Sequence, residues 1–335
     1  MRIRAGDLWA SWGKLLRGNT PLLSIEVTRE CPLHCPGCYA RADTHAAGAA
    51  PKTADLRRDD LIAGIGRLVD RHNPIHVSLV GGEPLLRRDE LDVVLPDLSR
   101  RGIVTMVVTS AVLPIPEHWC SLPGVVVTVS VDGLPAEHDK RRAPATYDRI
   151  LQNIAGRQVS VHWTIVRSHV TEKDYVEKYL DFWSARPEVQ HIVISVYSPQ
   201  RDERTPEMLT PADRSQLADR LARMDGKYPK VLMSGGMARA LLDPPPAPER
   251  CLFARMSRAY CSDLATTLEP CVLGGNPDCL QCGCAIAIAL HAIAGHRIRG
   301  PLRVGHLIAL TTFSAKLVNR VRGAVSRSVR PAQPS

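Results

Sequence analysis

At 335 residues the chain is long enough for one large α/β domain with an appendage. With 44% hydrophobic and 23% charged residues it has an ordinary globular composition, which excludes a fibrous or wholly disordered protein. The net charge of +9 is concentrated: after Asp278 there are eight Lys or Arg residues and no acid, so residues 1–278 are almost neutral.

Residues 1–20 carry an amphipathic stripe, Leu8, Trp9, Trp12, Leu15 and Leu16. Arg2, Arg4 and Lys14 are not followed by a leader-type apolar core, so no leader is expected and the expected location is cytoplasmic. No apolar run reaches the ~18 residues of a membrane span; the stretch from Ala285 to Ala294 is short and holds His291. From residue 21 to about 200, β-type runs alternate with helical ones. The strands expected are Leu22–Val27, Ile75–Val80, Ile103–Val108, Val125–Val131, Val161–Val166 and His191–Tyr197. Helices are expected around Leu61, Ile65, Leu68 and Val69, and from Tyr147 to about Ile154 behind a Thr146 cap. Six β–α repeats imply an α/β protein with a parallel sheet, either open or curled into a partial barrel. In residues 201–248, Thr210-Pro211-Ala212-Asp213 reads as a helix start. The run Pro-Pro-Pro-Ala-Pro at 244–248 then reads as a stiff linker and the best boundary. A cysteine-rich region (249–285) and a basic tail (286–335) follow.

Ten cysteines in a reducing compartment favour metal or catalysis over disulfides. Cys31, Cys35 and Cys38 follow directly after the first expected strand. Three thiolates on one tight loop can each bind one iron of a cubane cluster and leave the fourth iron open. A structural zinc, or a four-cysteine electron-transfer cluster with a distant ligand, is the competing reading. Gly81, Gly82, Glu83 and Pro84 end the second strand, where ligands of parallel sheets bind. There the glycines allow close backbone approach and Glu83 offers a carboxylate for an ammonium group. A plain Gly-Gly turn is the alternative.

In order, spacing and strand context these residues resemble the radical S-adenosylmethionine (SAM) superfamily. The resemblance covers residues ~22–200 and implies a partial (β/α)6 radical SAM barrel with a small C-terminal cysteine-rich extension. It implies a [4Fe-4S] cluster on Cys31, Cys35 and Cys38, with SAM chelating the open iron and its amino group bound by Gly81 to Pro84. Thr109-Ser110 stands where the family often has Thr-Asn-Gly. Ser130-Val131-Asp132-Gly133 is like its Ser-x-Asp-Gly, with Ser130 toward the SAM ribose or carboxylate. Tyr197 and Ser198 would lie near the adenine. Gly37 stands where an aromatic is common, with Tyr39 just after, and Pro32 replaces a common Asn. The activity implied is reductive cleavage of SAM to methionine and a 5'-deoxyadenosyl radical that modifies an unactivated carbon. A flavodoxin or ferredoxin would donate the electron.

Six further thiols follow within 34 residues. Cys251, Cys271, Cys279 and Cys282 are the ligands expected for a second [4Fe-4S] cluster, with Cys261 and Cys284 as competitors and zinc as the alternative metal. The region resembles the Twitch or SPASM auxiliary modules of the superfamily. Cys120 reads as core packing; His34, His162 and His169 are more readily loop or core residues than catalytic ones. Leu310, Phe313, Leu317, Val321 and Val325 with Lys316, Arg320, Arg322 and Arg327 form a basic amphipathic stripe. It suits an anionic membrane surface or a cap on the barrel. Without aromatic interleaving, nucleic acid is not an expected partner. The amphipathic ends point to a lipid or isoprenoid substrate. A ribosomal-peptide maturase is the alternative, although a peptide-recognition domain is not seen. A non-catalytic Fe–S carrier would not need Gly81 to Pro84.

Overall fold

The computed structural model describes residues 20–36, 38, 53–299 and 302–306. The chain runs β1 (Leu22–Thr28), α1 (Arg58–His72), β2 (His76–Gly81), α2 (Arg88–Arg100), β3 (Val104–Thr109), β4 (Val125–Ser130), α3 (Pro135–Arg142) and α4 (Tyr147–Ile154). It continues with β5 (Val159–Ile165), α5 (Tyr175–Ser184), β6 (Val189–Val196), α6 (Pro211–Arg223), β7 (Ser257–Tyr260), β8 (Thr267–Leu268) and α7 (Ala285–Gly295). The sheet order is β6-β5-β4-β3-β2-β1-β7-β8. β1 to β6 are all parallel and follow chain order, the arrangement expected of a partial barrel. All six expected strands are present, with ends shifted by no more than two residues.

Register separates the two faces of this sheet. Leu23, Ile25 and Val27 of β1, Val77 and Leu79 of β2, Val125, Val127 and Val129 of β4, and Val161, Trp163 and Ile165 of β5 join one apolar core. The helices cover that face: α1 contributes Leu61, Ile65, Leu68 and Val69, and α5 contributes Tyr175, Tyr179 and Trp183. Trp163 is fully buried and stacks on Tyr179 with ring centroids 3.8 Å apart. Truncating such a ring leaves a cavity the rigid sheet cannot close. Trp163→Ala is therefore expected to cost about 3–5 kcal/mol in urea unfolding. Leu242→Ala, at a side chain 49% exposed, should change stability by under about 0.5 kcal/mol.

The alternate residues form the other face, and many are polar. Thr128 is in register with Ser160, Ser130 with His162, and Thr164 with Ser195. His162 Nε2 lies 2.9 Å from Ser195 Oγ.

The cysteine-rich extension is not detached from this sheet. β7 adds to the β1 edge in parallel and β8 pairs with β7 antiparallel. Four residues, Ser-Arg-Ala-Tyr, are too few to show a period, so β7 was not an expected strand. Pro244 and Pro245 are buried rather than extended through solvent. At the other edge, Val231 bridges to Ile192, and Val196 N donates to Gly283 O at 2.9 Å. Among the described residues no helix is long and apolar enough to cross a membrane. The stripes at Leu8–Leu16 and Leu310–Val325 lie outside the described residues.

Candidate functional site

The expected site residues of the first half collect at the carboxyl ends of β1 to β4. β2 closes tightly on the residues that lead into the cysteine loop: Gly82 N donates to Thr28 O and Glu83 N to Glu30 O, both at 2.8 Å. A Cβ on Gly82 would lie 2.1 Å from Glu30 O, and one on Gly81 2.3 Å from Thr28 O, where φ is +130°. The two glycines are thus required by the protein's own backbone, not only by a ligand. Cys35 packs with Leu33, Val112 and Ala145 in one small apolar cluster, against which Cys31 and Cys38 also lie. Burial pushes the Cys31 and Cys35 thiols upward, and the Arg142 guanidinium pulls Cys35 part of the way back. His34 belongs to this loop and lies with Nδ1 3.0 Å from Leu33 O.

Glu83 is fully buried. Its Oε1 accepts from Leu85 N at 3.0 Å and Thr109 Oγ1 at 2.5 Å; its Oε2 accepts from Ser110 N at 2.9 Å and Ser110 Oγ at 2.5 Å. Pro84 opens the short 3-10 turn Pro84–Arg87 that delivers the Leu85 amide. Thr109 and Ser110 therefore hold Glu83 in place, a role that a 26-residue separation hides in the sequence. A carboxylate has about four acceptor positions, and these donors fill them. No Lys or Arg pairs with Glu83 among the described residues. A buried carboxylate that is hydrogen-bonded but lacks a countercharge suits a cationic ligand group.

After β4, Asp132 is buried and accepts from Arg141 Nε at 3.0 Å and Arg142 Nε at 2.7 Å. Despite burial, the two arginines hold its carboxyl well below the usual range. Ser130 is buried beside His162, whose imidazole burial pushes down to about 4. His169 stacks on Tyr175 with centroids 4.7 Å apart, as a core residue. Glu26, on the polar face of β1, is buried with its Oε2 lacking a hydrogen-bond partner among the described residues. Burial raises its carboxyl to about 7.

The second cysteine set converges on one cavity. Cys251, Cys271, Cys279, Cys282 and Cys284 line it together with Pro245, Pro248 and Phe253. Burial pushes Cys271 up to about 12, with Cys282, Cys251 and Cys279 close enough to add to the rise. The four thiols expected as ligands thus meet, and Cys284 joins them. Cys261 does not: it is fully buried at the end of β7, beside Glu26 and Asp263. Cys120 packs partly buried against the main core. The cavity wall is fastened to the end of β6. Ser198 Oγ accepts from Gly283 N at 2.8 Å, Ser195 Oγ from Ala285 N at 3.2 Å, and Arg214 donates to Gln281 O and Cys282 O. Tyr197 donates to Glu203. Ser198 and Ser195 therefore connect the parallel strands to the second set, and neither they nor Arg214 carry a motif that reveals it. Among the described residues no group of three or more His, Cys, Asp or Glu side chains is drawn together tightly enough for a single metal ion. The first set shares one loop and the second lines one wider space, and thiolates are a donor type that suits iron–sulfur clusters.

A thiol loop thus follows the first strand, and a buried, uncompensated carboxylate follows the second. Residues 25–166 match the family described as the Radical SAM superfamily. The AdoMet-dependent heme synthase of Nitratidesulfovibrio vulgaris is 28% identical over 159 residues, which cover 44% of this chain and 41% of that protein. Streptococcus suis SuiB bound to its precursor peptide SuiA has a similar fold, with TM-score 0.59 and 16% identity over 79% of this chain and 62% of that one. The structure of anSMEcpe with bound AdoMet gives TM-score 0.58 and 15% identity over 80% of this chain and 77% of that one. The chain spans about two fifths of the length of the heme synthase it matches.

Proposed function

We propose that the chain is a radical SAM enzyme with two iron–sulfur sites. Cys31, Cys35 and Cys38 hold a [4Fe-4S] cluster, and SAM binds between that loop and Gly81 to Pro84. The observation that carries this reading is Glu83, buried without a countercharge next to the cysteine loop and braced by Thr109 and Ser110. It meets the SAM ammonium as a fixed charge. Ser130, beside the partly buried His162, borders the same space, and burial there excludes water. When bound, cluster and SAM supply reductive cleavage of the sulfonium C–S bond, giving methionine and a 5'-deoxyadenosyl radical; the hard chemistry is theirs and positioning is the protein's. A low-potential donor of flavodoxin or ferredoxin type delivers the electron.

Cys251, Cys271, Cys279 and Cys282 hold a second [4Fe-4S] cluster of the Twitch or SPASM kind. The shared cavity supports this choice over Cys261. As to substrate, Thr128, Ser160, His162 and Ser195 on the polar face of the sheet favour a hydrogen-bonding molecule such as a peptide over an isoprenoid chain.

Glu83→Gln is the test, because it keeps the shape and removes the charge. Because protein donors already fill its acceptor positions, what Gln removes is the charge facing the ammonium, and SAM affinity, by equilibrium dialysis of the reconstituted protein, should fall roughly ten-fold or more. Iron content should stay unchanged. Unaltered SAM affinity would reduce Gly81 to Pro84 to a turn.

A further inference from the structure

Two arginines stand against the first cysteine loop although no motif called for them. Arg141 and Arg142 end α3, and both Nε atoms donate to the same Oδ2 of Asp132. Arg141 reaches further: its Nη2 donates to the carbonyl of Pro36, between Cys35 and Cys38, at 3.0 Å, and both terminal nitrogens bind the Glu207 carboxylate. One side chain thus ties the cysteine loop to the end of β4 and to the segment between β6 and α6. Arg142 makes a single ion pair among the described residues, with Asp132. Its guanidinium lies within electrostatic reach of Cys35 and Cys38. Three residues on, Ala145 packs in the same apolar cluster as Cys35 and Leu33.

We infer that the Arg141–Arg142 pair is a bracket on the cluster of this loop, in which Arg141 positions the loop through Pro36 and the Arg142 charge raises the cluster's reduction potential. The inference rests on the first cluster proposed above. One electron from an external low-potential donor takes a [4Fe-4S] cluster from its 2+ to its 1+ state, with no bond made or broken, so the site gains one negative charge. A cation beside the cluster lowers the energy of the reduced state more than that of the oxidised one, and where it is shielded from solvent on most sides, as Arg142 is, the effect survives over several ångströms. The charge of Arg141 is balanced by Glu207 as well as Asp132, which leaves Arg142 as the cation that counts. Asp132 opposes it. The two partners must therefore move the potential in opposite directions, which no purely structural role would produce.

The test is a redox titration with dithionite, followed by electron paramagnetic resonance of the signal that responds to added SAM. Arg142→Gln should shift the midpoint to a more negative potential, Arg142→Lys should stay near the parent, and Asp132→Asn, which keeps an acceptor oxygen of the same shape, should shift it to a more positive one. Iron per chain should be unchanged in all three. In Arg141→Gln, iron should be lost faster to a chelator, with a smaller change in midpoint. Shifts of the same sign in Arg142→Gln and Asp132→Asn, or no shift in either, would overturn the inference. Loss of iron in both would also overturn it, because the pair would then be a fold element only. A parent protein that binds no iron at Cys31, Cys35 and Cys38 would instead overturn the reading beneath it.

Discussion

Replacing Cys31, Cys35 and Cys38 together by Ala is expected to remove about four of about eight irons per chain after anaerobic reconstitution and to abolish 5'-deoxyadenosine formation. The loop has nothing else to offer iron: its other described side chains are apolar apart from His34, which lies against Leu33 O. The fold should survive, because the main core draws on other residues and these thiols only border a small satellite cluster. Circular dichroism should therefore match the parent while the iron-dependent absorbance halves. A triple variant that still cleaves SAM would remove the assignment.

The second large effect is expected from Cys251, Cys271, Cys279 and Cys282. Their joint replacement by Ala should remove the other four irons but leave Cys31, Cys35, Cys38 and Glu83 able to bind cluster and SAM. Dithionite-driven 5'-deoxyadenosine should still form, uncoupled from product. The cavity that these thiols share with Cys284 is walled by Pro245 and Pro248 and fastened to the end of β6 through Ser198 and to α6 through Arg214, so some local loosening is expected. Cys261→Ala is the control. It sits outside the cavity, and its iron count should equal the parent's. Zinc in place of iron in the parent protein, with no visible absorbance, would contradict the second cluster.

Much of the core could be read from the chain because burial on one face writes a local signal. β1 to β6 are runs of Val, Ile and Leu between helical segments, and each emerged within two residues of its expected ends. Cys31, Cys35, Cys38 and Gly81 to Pro84 were equally visible, since a loop that follows a strand carries its motif in a few consecutive residues. What was hidden is long-range. Thr109 and Glu83 were read from separate motifs, and nothing in their spacing showed that the Thr109 hydroxyl donates to Glu83, 26 residues earlier. Arg141 reaches Pro36 across 105 residues, and no spacing rule connects them. β7 is too short for a period, and the prolines at 244–248, which read as a spacer, contribute to a cavity wall. Cys261 and Cys284 were indistinguishable as spare thiols until β7 carried the one to the β1 edge and β6 drew the other into the cavity.

The central claim, that this chain cleaves SAM reductively, is tested most directly by product analysis of the reconstituted parent protein. Incubated without oxygen with SAM and dithionite, it should yield 5'-deoxyadenosine and methionine in equal amounts, and omission of either dithionite or iron should abolish both. Intact SAM after prolonged incubation with a fully loaded, reduced protein would contradict it.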